Sequence, residues 1–242
     1  MERNYSIAGF LFLALGLLLG GWFIGSGFYK GRVADRYVTV KGLAERDVKA
    51  DIALWPLRFV ATDDNLKNAQ RKINESHEKV MAFLKSHNIE PALAEVRKLE
   101  VTDVLANPYR SGPSTNRYIV AQTIMVRSED PQNILRTSQD VGKLVDQGVV
   151  LSSRSEWEGG PTFLFTRLNE LKPDLIAEAT ANARTAAEQF AQDSGSELGG
   201  IRRANQGVFV ILPRDNAPGV VESDQIDKTV RVVATIDYLL ED

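Results

Sequence analysis

The apolar positions divide the chain into one continuous apolar segment and a longer region in which apolar and polar residues alternate. Residues 7–28 contain no charged side chain over about 22 positions. A helix of that length spans about 33 Å, which exceeds the roughly 30 Å of the hydrocarbon core of a bilayer. The sequence therefore predicts a single transmembrane helix over residues 7–28, between a short N-terminal segment (1–6) and a polar neck (29–36).

A cleaved signal peptide is the main alternative interpretation of this segment, and a buried helix of a soluble protein is another. Signal peptides have apolar stretches of only about 7–15 residues, followed by an Ala-x-Ala-like cleavage site. Here the apolar stretch is longer, and the small-residue triplet Gly25-Ser26-Gly27 matches that site poorly. Retention as a membrane anchor is therefore the preferred interpretation. The Lys and Arg residues on the two flanks favour a cytoplasmic body, but the difference in their number is too small to decide the orientation of the anchor.

Four glycines follow one face of the predicted transmembrane helix. Gly9, Gly16, Gly20 and Gly27 are seven, four and seven residues apart, a spacing that places them on the same side of a helix. Small residues four positions apart allow two membrane helices to approach closely. This face is a candidate for self-association of the anchor, and the alternative explanation is the general abundance of glycine in membrane helices.

Beyond the neck, residues 37–242 change repeatedly between a two-residue and a 3.6-residue apolar period. The predicted strands cover residues 36–47, 51–62, 95–105, 116–127, 149–156, 161–168, 199–212 and 228–239. The predicted helices cover residues 64–87, 131–147 and 173–194. Paired strands with interleaved helices indicate an α+β fold with a mainly antiparallel sheet, not a doubly wound parallel sheet.

Turn and cap signals refine this pattern. Pro56 cannot donate to a strand ladder, so we expect an edge position or a bulge in the second strand. Asp63 or Asp64 is the expected N-cap of the first body helix. Gly159-Gly160 predicts a hairpin between the two strands that flank it. The helix 173–194 is rich in alanine, whose small side chain allows close packing on a sheet or on another helix.

Composition excludes several classes of function. Lys and Arg (29) nearly balance Asp and Glu (32), which gives a net charge of −3, and no basic stripe occurs. Nucleic-acid binding therefore has no electrostatic support. The chain contains no cysteine, which excludes disulfides, thiolate catalysis and Cys-ligated metals.

The two histidines do not form a recognisable metal site. His77 and His87 are ten residues apart on one predicted helix, about 15 Å along its axis, which is too far for a shared metal ion. His77 opens a sequence that begins like a zinc-protease motif, but Met81 stands where the second ligand belongs. We therefore predict no metal and no cofactor.

Two pairs of carboxylates are candidates for acid–base chemistry. Asp63 and Asp64 are adjacent, and Asp224 and Asp227 are three residues apart. A helix cap or a solvated loop explains each pair without catalysis. We therefore predict no catalytic residue and no enzymatic activity, and a hydrolase that uses these pairs is the enzymatic alternative.

Two loops and two aromatic residues are candidates for contact with a partner. Residues 107–115 and 213–225 are rich in turn-forming residues and predict exposed loops. Tyr109 lies in the first loop and Trp157 lies at a strand end, where an aromatic side chain is suited to an interface. The candidate interface residues are Asn107, Tyr109, Trp157, Pro213 and Pro218.

Three stretches of the body resemble the SIMPL-domain family of bacterial envelope proteins. Residues 38–45 (VTVKGLAE) are similar to the V-x-V-x-G-x-G/A-E strand that opens the family's domain. Residues 118–126 (YIVAQTIMV) are similar to its Y-x-V-x-Q-x-V-x-V strand. The alanine helix that leads into residues 191–199 (AQDSGSELG) is similar to its A-x-x-x-A-x-x-x-A-x-x-x-G-x-x-L-G segment. Ala44 in place of the second glycine, and Ala50 in place of a proline before Asp51, are departures from the pattern.

The resemblance implies one SIMPL-like α+β domain over residues 37–242. Family members are typically exported and often periplasmic, some form ring-like or channel-like oligomers, and tolerance to oxidative or envelope stress is suggested for some. Together with the predicted span, the resemblance implies a single-pass inner-membrane protein whose body lies in the periplasm, against the weak charge count. No catalytic residues are established for the family, so none are transferred to this chain.

Two functional hypotheses follow from these observations. The first is a non-enzymatic, homo-oligomeric assembly of the cell envelope, held at the membrane by residues 7–28. The second is a periplasmic binding module for a small ligand or an envelope polymer, which would use the loops 107–115 and 213–225.

Overall fold

The helices and strands of the chain are given by a computed structural model that describes residues 2–33, 36–106, 116–152 and 160–241. The helices of the described residues are α1 Glu2–Val33, α2 Leu66–Ser86, α3 Pro131–Gln139, α4 Gly142–Asp146 and α5 Leu168–Asp193. The strands are β1 Tyr37–Lys49, β2 Ile52–Asp63, β3 Ala94–Asp103, β4 Tyr118–Ser128, β5 Val150–Leu151, β6 Thr162–Leu164, β7 Glu197–Gln206, β8 Val210–Pro213 and β9 Asp227–Glu241. The predicted α+β class with antiparallel sheets is confirmed.

The chain forms two compact units. The first comprises Met1–Glu45, Lys172–Phe209 and Arg231–Asp242, and the second comprises Arg46–Leu171 and Val210–Val230. A four-stranded sheet has the order β1-β9-β7, with β8 also paired to β9, and a five-stranded sheet has the order β3-β4-β2-β5, with β6 also paired to β2. The five-stranded sheet belongs entirely to the second unit.

The core of the second unit lies between the five-stranded sheet and α2. Alternate residues of β2 are buried on one face, which we call the inner face, and β4 contributes the residues opposite them. Most of the apolar stripe of α2 is buried, as at Ile73 and Val80, whereas Leu66 at its start is 42% exposed. The buried part belongs to the same hydrophobic cluster as Trp55, Leu57 and Phe59 of the inner face. The other residues of β2, Leu54, Pro56, Arg58 and Val60, lie on the outer face.

The start of α2 differs by one residue from the prediction. Asn65, rather than Asp63 or Asp64, is the N-cap, and its side-chain oxygen accepts hydrogen bonds from the backbone N–H groups of Lys67 (2.9 Å) and Asn68 (3.4 Å). Asp63 accepts a hydrogen bond from the backbone N–H of Asn65 at 2.9 Å. The acidic residue therefore orders the turn that precedes the cap.

The environment of Pro56 corrects the expected edge strand or bulge. β2 is a central strand, and Pro56 lies opposite Met125 in an unbroken register with β4. On the other side of β2, β6 pairs with residues 52–54 and β5 pairs with residues 59–60. Pro56 therefore lies beside a gap between two short strands, where a missing N–H costs no ladder hydrogen bond.

The predicted hairpin at Gly159-Gly160 falls partly outside the described residues, and the two described strands that flank it do not pair with each other. Both β5 and β6 run antiparallel to β2 along its same edge, so they are two parts of one interrupted strand. Strands of a hairpin would instead pair with each other in opposite directions. Phe163 of β6 is buried in the core of the second unit.

Three further boundaries differ from the sequence pattern. The predicted helix 131–147 is divided into α3 and α4. At the division, the backbone N–H groups of Asp140 and Val141 donate to the carbonyl three residues earlier, as in a 3₁₀ turn, rather than four residues earlier. α5 begins at Leu168, before Pro173, which lies inside the helix. The predicted strand 199–212 is divided at Gly207, which lies so close to the backbone of Val233 that an added Cβ would be 2.7 Å from its carbonyl oxygen.

The first unit is held together by close packing of α5 on β1. Every fourth residue along α5 is a buried alanine: Ala179, Ala183, Ala187 and Ala191. A Cβ added to Gly42 of β1 would lie 1.8 Å from the carbonyl oxygen of Ala179 and 2.5 Å from the backbone nitrogen of Ala183. The side-chain amide of Asn182 also donates a hydrogen bond to the carbonyl of Leu43 at 2.8 Å. Only a residue without a side chain fits at position 42.

The N-terminal helix extends beyond the predicted boundaries. α1 covers Glu2–Val33, so it includes most of the predicted segment 1–6 and part of the predicted neck 29–36. Among the described residues, no helix combines the length and the apolar character that a membrane crossing requires. The predicted transmembrane span over residues 7–28 is therefore not confirmed.

A buried ion pair fixes the end of the loop 213–225. The side chain of Lys228, at the start of β9, is 0% exposed. Its Nζ donates to the backbone carbonyl of Glu222 at 2.6 Å and forms an ion pair with the carboxylate of the same residue. Glu222 begins a 3₁₀ turn, Glu222–Asp224. The loop therefore has a fixed base, while Pro218 near its middle is exposed.

We predict that Gly42→Ala destabilises the protein by about 1–3 kcal/mol or more, because the added methyl group forces β1 away from α5. The measurement is urea unfolding of the full chain. Gly200→Ala is the matched control, since Gly200 lies in β7 with nothing within 4 Å of an added Cβ. Equal stability of the two variants would contradict this packing.

We predict that Glu222→Gln is more destabilising than Lys228→Met. The first change leaves a buried ammonium group without its counter-charge and costs roughly 2–3 kcal/mol. The second removes the buried charge and leaves a carboxylate that is one-third exposed and can be hydrated. Urea unfolding of both single variants and of the double variant measures the coupling. A larger loss for Lys228→Met would contradict this account.

Candidate functional site

The most extensive exposed apolar surface of the described residues lies on α1. Side chains are described for residues 12–27 of this helix. The large apolar residues among them are 52–77% exposed: Phe12, Leu13, Leu15, Leu17, Leu18, Leu19, Trp22, Phe23 and Ile24. They point in all directions around the helix axis. Such a surface is typical of a helix that is covered by lipid or by another protein.

The glycine face of α1 is open. A Cβ added at Gly16, Gly20 or Gly27 would meet no atom within 4 Å. Another helix could therefore approach the backbone of α1 closely along this face. Gly9 lies in α1 outside the part with described side chains, and the self-association of this face stays a prediction.

A second apolar surface lies on the edge strand β3. Val96, Leu99 and Val101 of β3 are 51%, 50% and 51% exposed, and each pairs with a β4 residue of the inner face. They extend the inner face beyond the part that α2 covers. This surface was not predicted, although three large apolar residues among the charged residues of this strand are a visible signal of it.

The first carboxylate pair is used in local structure. The carboxylate of Asp63 lies 2.8 Å from Nζ of Lys72, and the hydrogen bond from this lysine lowers the pKa of Asp63 to about 2. A carboxyl group with that pKa is ionised at neutral pH and cannot act as a general acid. The neighbouring Asp64 accepts a hydrogen bond from the backbone N–H of Arg117 at 3.0 Å.

The second carboxylate pair has separate partners. Asp227 lies 3.3 Å from a guanidinium nitrogen of Arg214 and 3.5 Å from Nζ of Lys49. Asp224 accepts a hydrogen bond from the hydroxyl of Ser223 at 3.1 Å. Each carboxylate of this pair therefore makes a local contact.

Of the two histidines, His87 has local partners. His87 Nε2 lies 3.1 Å from the carboxylate of Asp140, and its Nδ1 lies 2.9 Å from the carbonyl oxygen of Phe83. Two hydrogen bonds lower the pKa of Asp140: the larger effect comes from Lys143 and the smaller from His87. Nδ1 of His77 is buried without a hydrogen-bond partner among the described residues. No group of three or more potential metal ligands occurs in the part of the chain that the structure describes.

The predicted interface residues fall into two groups. Asn107, Tyr109 and Trp157 lie outside the described residues. Pro213 is half-buried at the end of β8, and Pro218 is exposed in the loop that follows. Their role as an interface stays a prediction.

The two most distinctive sequence stretches occupy defined positions in the fold. The V-x-V-x-G stretch forms β1, where its glycine contacts α5, and the alanines four residues apart form the side of α5 that meets it. The family model of SIMPL, described as "Protein of unknown function (DUF541)", matches residues 38–236, from the start of β1 almost to the end of β9. No curated protein matches the chain. Since the match covers most of the chain, the protein belongs to the SIMPL family.

Proposed function

We propose that the protein is a non-enzymatic, homo-oligomeric component of the bacterial cell envelope. In this proposal, α1 anchors the chain in the inner membrane and the SIMPL domain lies in the periplasm. The observation that carries the proposal is the large apolar surface of α1 described above. Each square ångström of apolar surface exposed to water costs roughly 25 cal/mol, so this helix is stabilised by apolar surroundings.

The absence of charge over residues 7–28 supports a lipid environment for this surface. The exposed apolar surface of α1 includes the aromatic residues Trp22 and Phe23, which lie in the C-terminal half of the helix. The periplasmic orientation is supported by the family, whose members are typically exported. A link to oxidative or envelope stress belongs to the same proposal and has the same support.

Self-assembly is supported by two surfaces that lack cover in the described residues. The open glycine face of α1 suits a close contact between two copies of the helix. The half-exposed valine and leucine residues of β3 would gain burial in a contact between bodies. A non-enzymatic role is supported by the carboxylates and by His87, since each of them makes local structural contacts.

A binding module is the second candidate function. It is favoured by the loop 213–225, whose end is fixed by the buried Lys228 while Pro218 remains exposed. A loop with a rigid base and an exposed middle is a common arrangement for binding residues. The two functions differ in whether the full chain forms homo-oligomers, as the first requires and the second does not.

We predict that Leu13→Cys forms disulfide-linked dimers in bacterial membranes, whereas Leu18→Cys does not. The protein has no native cysteine, so every disulfide comes from the introduced residue. Leu13 is seven residues before Gly20 and shares its face, while Leu18 lies on the opposite face. The measurement is oxidative cross-linking followed by non-reducing electrophoresis. Equal cross-linking of both variants would contradict the glycine face, and monomers from both would favour the binding module.

We predict that Val208→Cys reacts with a membrane-impermeant maleimide in intact spheroplasts. Val208 is 84% exposed, so access depends only on the side of the membrane on which the body lies. Glu2→Cys is the matched control, and we expect it to react only after lysis. The opposite labelling pattern would place the body in the cytoplasm. Recovery of the full chain in the soluble fraction would contradict the anchor.

A further inference from the structure

The outer face of the five-stranded sheet contains a cavity of about 430 Å³. This volume lies in the range of small-molecule sites. The cavity lies over β2, β3 and β4, on the opposite side of the sheet from α2. Its principal lining residues are Pro56, Arg58, Arg97, Lys98, Glu100 and Met125.

A β-bulge directs two consecutive basic residues to this outer-face cavity. In the pairing of β3 with β4, Val96 lies opposite Ile124 and Lys98 lies opposite Thr123, so Arg97 is an additional residue. Regular alternation would direct Arg97 and Lys98 to opposite faces of the sheet. Both line the cavity instead, which is the kind of reorientation that bulges produce near functional sites.

Arg58 is held in position from two sides. Its side chain is 19% exposed, and it donates hydrogen bonds to the hydroxyl of Ser152 at 3.0 Å and to the carboxylate of Glu100 at 3.2 Å. The same carboxylate lies 2.6 Å from Nζ of Lys98. A single acidic residue therefore orients two cations of the cavity.

The cavity retains an excess of positive charge. Among the described residues, three cations and one acidic residue, Glu100, line it. The guanidinium of Arg97 has no hydrogen bond or ion pair with any other described residue. The net charge of about two matches a phosphate monoester, which carries between −1.5 and −2 at neutral pH, better than it matches a carboxylate.

A second cavity extends the site with an apolar surface. It has a volume of about 290 Å³ and shares Arg97 and Met125 with the first cavity. Leu54, Ala92 and Leu93 also line it, together with Glu95 and Arg127, whose opposite charges leave the net charge of the combined site unchanged. A ligand with its anionic group near Arg97 could therefore place an apolar portion along Met125 and Leu93.

We propose that the outer-face cavity binds a phosphate monoester that carries an apolar group. The phosphate lies between Arg58, Arg97 and Lys98, and the apolar group lies on Met125. This binding activity goes beyond the envelope assembly proposed above and uses neither α1 nor the loop 213–225. The phosphate ester is either a membrane lipid or a soluble compound, and both share the chemistry that the cavity recognises.

The test is isothermal titration of the full chain in a non-ionic detergent with hexyl phosphate. We expect Arg97→Gln to weaken binding by about tenfold or more, because a charge-assisted contact with the phosphate is lost. Arg71→Gln is the matched control, since Arg71 is exposed on α2 away from the outer face. It should change the affinity by less than about twofold. Thermal unfolding checks that each variant is folded.

Met125→Gln tests the apolar part of the site. We expect it to weaken binding of hexyl phosphate but not of inorganic phosphate. Tighter binding of dihexanoyl phosphatidic acid than of hexyl phosphate supports a lipid ligand, and the reverse order supports a soluble ester. The proposal is overturned by absence of binding, by equal effects of Arg97→Gln and Arg71→Gln, or by equal affinity for hexanoate and hexyl phosphate.

Discussion

The contact between the backbone of β1 and the backbone of α5 is the constraint on which the first unit depends. At Gly42 the strand lies so close to Ala179 and Ala183 that no side chain fits between them. Such proximity requires small residues on both elements: one glycine on the strand and an alanine at every fourth position of the helix. The same residues make up two of the stretches that relate the chain to its family, so the family signature is a signature of packing.

Most of the secondary structure could be predicted from the sequence because the apolar periods are long and regular. α2 illustrates this, since all but one of its buried residues are apolar positions that the 3.6-residue period selects. The errors occurred where a partner elsewhere in the chain decides the local structure. Gly159-Gly160 resembles a hairpin turn, but pairing with β2 determines where β5 and β6 lie. In the same way, Pro56 is tolerated in a central strand because the neighbouring edge is interrupted there.

The candidate functional sites were harder to predict for a physical reason. Sequence motifs identify chemistry when the participating residues are close in sequence, as in the carboxylate pairs, and the structure gives those carboxylates local partners. The outer-face cavity combines residues of three strands and depends on a bulge at Arg97. A one-residue change of register decides which face a side chain occupies, and no local pattern shows that change.

Because β5 and β6 are separate short strands, the number of residues between them does not determine how either strand pairs with β2. Each of these short strands has its own register with β2, so the connection between them can lengthen without altering either pairing. Loop closure becomes only slowly more costly as a connection grows. Proteins of this fold can therefore acquire whole additional modules at this position during evolution. For the same reason, a peptide tag or a reporter domain inserted there would leave the sheet intact.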